Sequence, residues 1–166
     1  MPYKLPLEGE EITRELIARQ TLPENASDEL IACAKDFETI YRFLPEIAKE
    51  LADYYKKFDE MNGGNPGAVV LLMGGGRLKG KPLSLDSDID LFLGIENIME
   101  SIEGPLNADN ALHALQVYHK QEIRKYAHQL CKKYGVKNKF HILGYDGEIP
   151  DTLEVKEDLI PIGIAQ

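Results

Sequence analysis

Val69-Val-Leu-Leu-Met-Gly-Gly-Gly-Arg-Leu-Lys-Gly-Lys-Pro-Leu-Ser-Leu-Asp-Ser-Asp-Ile-Asp-Leu-Phe-Leu-Gly94 is the stretch on which the fold turns. Ala68 to Met73 is a continuous apolar run, preceded by the breaker cluster Asn62-Gly-Gly-Asn-Pro-Gly67. A run too short for a helix and bounded by turn residues predicts a buried strand. Gly74, Gly75 and Gly76 end it, and a loop rich in Gly, Pro, Ser and Lys leads to a second strand over Asp88 to Gly94. Alternate side chains of an extended chain share a face, so Asp86, Asp88 and Asp90 are expected to point one way, and Ser87, Ile89 and Leu91 the other. Neighbouring carboxylates repel, and Leu91-Phe-Leu93 carries the same strand into a core. Acidic residues entering a buried strand call for a cation between them.

The rest of the chain supplies what would cover these strands. Pro2 and Pro6 predict an extended arm over the first dozen residues. Ser27 is placed to cap a helix on which Leu30, Ala34, Phe37, Tyr41 and Leu44 form one apolar stripe. Pro45 suits the first turn of a second helix, with Ile47, Leu51, Tyr54 and Phe58 as its stripe. A long helix over about 110–134 carries Ile123, Ala127, Leu130 and Tyr134, with Gly135 just past its end. Phe140 to Tyr145 predicts a third strand, and Leu153 to Val155 and Ile160 to Ile164 are further candidates. The expected fold class is α+β: a mixed sheet covered by helices, with an N-terminal helical pair. One domain spans 1–166, residues 1–62 packing as arm and helices on a 68–166 core.

Composition narrows the function classes. The chain has 166 residues, 43% hydrophobic and 28% charged, with no run approaching a membrane span and no leader pattern at its start. A cytoplasmic location and no membrane partner are expected. The net charge of -9 argues against a domain that grips a nucleic-acid backbone. Cys33 and Cys131 lie in helical patterns without a zinc-ligand spacing and read as reduced core residues. His113, His119, His128 and His141 show no metal-ligand spacing either and read as structural.

Chemistry concentrates around the glycines. Residues without side chains let backbone N–H groups approach a phosphate. Arg77, Lys79 and Lys81 follow at once and are placed to neutralise a triphosphate, and Ser84 or Ser87 offers a hydroxyl donor.

Met73-Gly-Gly-Gly, followed after eleven residues by Asp88-Ile-Asp-Leu, resembles the nucleotidyltransferase superfamily of the DNA polymerase beta type. The wording Ser87-Asp-Ile-Asp-Leu91 is most similar to bacterial signal-protein uridylyltransferases and adenylyltransferases and to small stand-alone nucleotidyltransferases. The close resemblance covers about residues 68–95. It implies that Asp88 and Asp90 bind Mg²⁺ or Mn²⁺, and that Gly74 and Gly75 contact a nucleoside triphosphate. Gly76, Arg77, Lys79 and Ser87 are expected as further nucleotide contacts, and the resemblance implies that a hydroxyl of a protein, small molecule or nucleotide acceptor attacks the α-phosphorus.

The family supplies a third carboxylate from a neighbouring strand. Simple strand order puts His141 there, and a neutral imidazole suits Mg²⁺ poorly. Glu154, in an apolar-acid-apolar setting, is the preferred third catalytic acid, with Asp146 and Asp158 as lesser candidates. The alternative function is a non-catalytic domain of this fold that binds nucleotide or a partner protein in a regulatory role.

Overall fold

The computed structural model describes residues 3–97, 108–149 and 152–166, with backbone alone for 108–118 and 144–148. In chain order the elements are α1 (Gly9–Arg19), α2 (Asp28–Met61), β1 (Val69–Gly74), β2 (Ile89–Ile95), α3 (Ala108–Tyr134), β3 (Phe140–Glu148) and β4 (Ile160–Ala165). The strands form one sheet in the order β3-β2-β1-β4, β2 and β3 parallel and the other pairs antiparallel. The α+β class with a mixed sheet and helices holds.

The N-terminal expectations need two corrections. Residues 9–19 are helical, not an extended arm. The Glu11 carboxylate accepts the Glu8 backbone N–H at 3.2 Å, which starts the helix, and Ile12 and Leu16, one turn apart, are buried in the main core. The expected pair of helices divided at Pro45 is instead the single helix α2, with Pro45 inside it. A proline at 45 cannot donate to the Tyr41 carbonyl. The Thr13 hydroxyl of α1 donates to that carbonyl at 2.8 Å, so the helix continues without stranding a buried acceptor. The Ser27 cap is as expected, its hydroxyl accepting from the Leu30 N–H at 3.1 Å.

Strand alternation decides which side chains meet the helices. Val69, Leu71 and Met73 of β1, and Ile89, Leu91, Leu93 and Ile95 of β2, pack into the core formed with Phe37, Leu44, Leu51 and Ile123. Tyr55 rather than Tyr54 completes the buried stripe of α2, while Tyr54 stacks on Tyr126 with ring centroids 4.0 Å apart. The opposite sheet face carries a smaller cluster, Val70 and Leu72 with Ile149, onto which Phe92, Leu153 and Leu159 pack. Asp90 alternates with Ile89 and Leu91, and so belongs to this second face, away from the helices. β4 is an edge strand, which is why Pro161 fits it; Ile162 is the extra residue where the pairing register with β1 shifts.

Candidate metal and phosphate site

Three strands contribute one residue each to a single row. Gly74 of β1 lies opposite Asp90 of β2, and Asp90 lies opposite His141 of β3. The row closes the C-terminal end of β1, where the chain must turn out of the sheet. Backbone pairing, rather than rotamer choice, therefore brings the first glycine, the second aspartate of the motif and a histidine together.

Gly75 makes the exit possible. Its φ is +82°, a region that L side chains rarely occupy, and a Cβ there would collide with the Asp90 carboxylate. Gly74 is hemmed in differently: a Cβ would press at 3.0 Å on both the Asp158 carbonyl and the Phe92 ring. The turn is then locked by the Leu78 and Lys79 N–H groups donating to the Gly75 carbonyl (3.2 and 3.1 Å) and the Lys81 N–H donating to that of Gly76 (3.1 Å). None of these bonds uses the Gly75 or Gly76 amide. Two N–H donors therefore stay with the turn beside the acidic pair, the feature an anionic oxygen needs.

The carboxylates diverge from expectation at one position. β2 begins at Ile89, so Asp86 is not on the acidic strand face; it sits exposed in a turn over Ser84 to Ser87. That turn closes on itself, the Ser84 N–H donating to the Ser87 hydroxyl at 2.9 Å and the Ser87 N–H to the Ser84 carbonyl at 3.1 Å. Asp88 and Asp90 remain together, their side chains 51% and 21% exposed. His141, 46% exposed, donates from Nδ1 to Asp90 Oδ1 at 3.0 Å, and the same nitrogen is 3.8 Å from Asp88 Oδ2. Ionised carboxylates only accept, so the proton is on Nδ1 in this arrangement. One ligand atom from each of the three lies within 4.8 Å of the others, which permits a shared cation.

The remaining candidates fall outside this cluster. Glu154 lies in irregular chain, not in a strand at 153–155, and pairs with Lys156 at 3.7 Å in solvent. Among the described residues no strand pairs with that segment, and Glu154 is not in the cluster with Asp88 and Asp90. Asp158 presents its carbonyl, not its exposed carboxylate, to Gly74. The Asp146 side chain lies outside the described residues.

Of the basic residues, Lys79 and Lys81 are exposed, and the Lys81 stem runs 3.5 Å from the position of a Gly76 Cβ. Lys79 joins Arg19, Gly80 and Glu157 around an open depression of about 350 Å³. Arg77 is buried, directed to the Pro82 carbonyl at 3.4 Å and near enough to Tyr41 to oppose the rise that burial imposes on that phenol's pKa. Its guanidinium is thus turned toward the helical layer instead of the exposed surface that Lys79 and Lys81 occupy. His141, which shows no metal-ligand spacing along the chain but which strand order puts at the third-acid position, is the residue the sheet brings to Asp88 and Asp90. Its signal is its place in the third strand, one residue after Phe140, which pairs with Ile89.

The described residues include no helix long and apolar enough to cross a membrane. Comparison of the chain with protein-family models, with characterised proteins and with solved structures finds no match.

Proposed function

We propose that the chain is a metal-dependent nucleotidyltransferase that moves a nucleoside monophosphate from a nucleoside triphosphate to a hydroxyl acceptor. One observation carries this reading: the Gly75 turn, at a positive φ, lies directly against Asp90, beside the row Gly74, Asp90 and His141. A phosphate-approach surface and a cation-binding pair are thus contiguous, as transfer at an α-phosphorus requires.

The roles follow from position. Asp88 and Asp90 would hold a divalent cation, and His141 completes the donor set. When bound, such an ion supplies Lewis acidity at the acceptor and charge neutralisation at the leaving pyrophosphate. The Gly75 and Gly76 amides would donate to phosphate oxygens. Lys79 and Lys81, exposed on the same turn, attract the triphosphate and would lose influence as ionic strength rises. Both faces of β2 serve the reaction, since Leu91 and Leu93 anchor the strand in the core while Asp90 faces the ligand. The net charge of -9 favours a small-molecule or protein acceptor over a nucleic acid.

The absence of a clustered third carboxylate among the described residues favours one rival, a regulatory domain that binds nucleotide without turning it over. A single assay separates the two. Melting temperature is measured with each nucleoside triphosphate, with and without Mg²⁺ or Mn²⁺, beside pyrophosphate release. At a hundredfold excess over Kd, binding should add about 2.7 kcal/mol, or about 5–10 °C. Asp88→Asn and Asp90→Asn should remove the shift and the pyrophosphate together. A metal-dependent shift without pyrophosphate would favour the regulatory domain, and a wild-type shift in Asp90→Asn would discard the site.

A further inference from the structure

We propose that His141 is a metal ligand standing where a third carboxylate would stand, and that it turns the site from Mg²⁺ toward first-row transition cations, Mn²⁺ first among them. The inference rests on the metal site proposed above and deepens it by naming the class of ion.

Three observations support it. His141 is paired in register with Asp90 across β2 and β3, so its direction is set by the sheet. Its Nδ1 faces both carboxylates, 3.0 Å from Asp90 Oδ1 and 3.8 Å from Asp88 Oδ2. Donors in adjacent positions around an octahedral ion at about 2.1 Å lie about 3 Å apart, so a cation would need only small side-chain adjustments here and a ring proton held on Nε2 instead of Nδ1, which frees the Nδ1 lone pair for the ion. And no described acid competes for the place: Glu154 is occupied with Lys156 elsewhere.

The chemistry of the donor set then discriminates between ions. Mg²⁺ demands oxygen ligands and gives up water reluctantly, so an imidazole adds little to its binding. Mn²⁺ accepts both nitrogen and oxygen, and its heavier neighbours in the first row bind imidazole more strongly still. Mn²⁺ also retains the open, oxygen-accepting positions that triphosphate needs. An Asp-Asp-His set is therefore selective in a way that an all-carboxylate set is not. The half-exposure of His141 and Asp88 leaves room for those further ligands.

The experiment is calorimetric titration of the full chain with MnCl₂ and with MgCl₂, without nucleotide, for wild type, His141→Asp and His141→Asn. His141 is exposed at the end of the sheet, and the Asn variant adds no charge, so at least one variant keeps the fold, verified by its melting curve. The quantity read is the ratio of the Mg²⁺ to the Mn²⁺ dissociation constant. It should be large in wild type and fall by about tenfold or more in both variants, with Mg²⁺ affinity rising in His141→Asp. An unchanged ratio in the variants, or no Mn²⁺ binding by wild type at millimolar concentration, overturns the proposal. Selection of Mn²⁺ through His141 with no response to any nucleotide would overturn the transferase reading and leave this one standing. Nucleotide-dependent stabilisation with an unchanged ratio does the reverse.

Discussion

Asp59 and His119 face each other at 3.7 Å between α2 and α3, with 1% and 2% of their side chains exposed, whereas Asp90 and His141 meet at 3.0 Å on neighbouring strands, 21% and 46% exposed. The residue types are the same and the consequences are opposite. His119 is enclosed by the edge-on rings of Tyr55 and Phe58 and hydrogen-bonded to the Tyr55 hydroxyl at 3.1 Å. Burial pushes its pKa down to about 4, because the imidazolium would have to leave water. It is therefore a neutral packing element at physiological pH. His141 has the same carboxylate partner type but stays in reach of solvent and beside a turn that leaves amides available. What makes an aspartate and a histidine a site is access and a neighbouring set of ligand groups, not their pairing.

Truncation should separate the two pairs most sharply. His119→Ala removes a buried ring and strands its partners, so it should cost about 2–4 kcal/mol in urea unfolding, while His141→Ala should stay within about 0.5 kcal/mol. Equal losses would erase the distinction. The pH dependence sharpens it further. As pH falls below about 6.5 the unfolded chain protonates His119 and the folded chain does not, so stability declines until about pH 4 and is then unaffected by this group. At about 1.4 kcal/mol per pH unit the decline attributable to His119 is about 3 kcal/mol. Urea unfolding of wild type and His119→Gln at pH 7.5, 6, 5 and 4 checks it, since the decline should shrink in the variant by that amount.

A smaller effect probes the exposed pair from the glycine side. Gly75→Ala places a methyl against Asp90 at a positive φ and should cost about 1–2 kcal/mol, together with the Mn²⁺-nucleotide shift. Gly76→Ala meets nothing closer than the Lys81 stem at 3.5 Å and should change stability by less than about 0.5 kcal/mol. Thermal melts of the two variants test this. If they behave alike, the contact between the turn and Asp90 is not what constrains the site.

The places where sequence was legible and where it was not have identifiable causes. The apolar run before Gly74, the alternation through Ile89 to Leu93 and the stripe through Ile123, Ala127 and Leu130 are periodic signals, and each matches an observed element. Helix α1 was hidden because Ile12 and Leu16 amount to only two buried apolar positions, stable against α2 but weak as a pattern. Pro45 looks like a helix start by its local chemistry alone; only Thr13, brought in from another helix, relieves the carbonyl it leaves behind. Asp86 fits the alternation of the strand, yet the hydrogen bonds between Ser84 and Ser87 hold it in a turn.

By itself the sequence determined the α+β class, the glycine exit from the first strand and the grouping of Asp88 with Asp90, because these follow from periods of two and of about 3.6 residues and from the steric freedom of glycine. Only the tertiary structure decided which third residue joins them. A linear argument puts His141 there by strand order and prefers Glu154 for its acid, but cross-strand register is set by pairing between segments far apart in the chain. That pairing puts His141 opposite Asp90 and leaves Glu154 in solvent with Lys156.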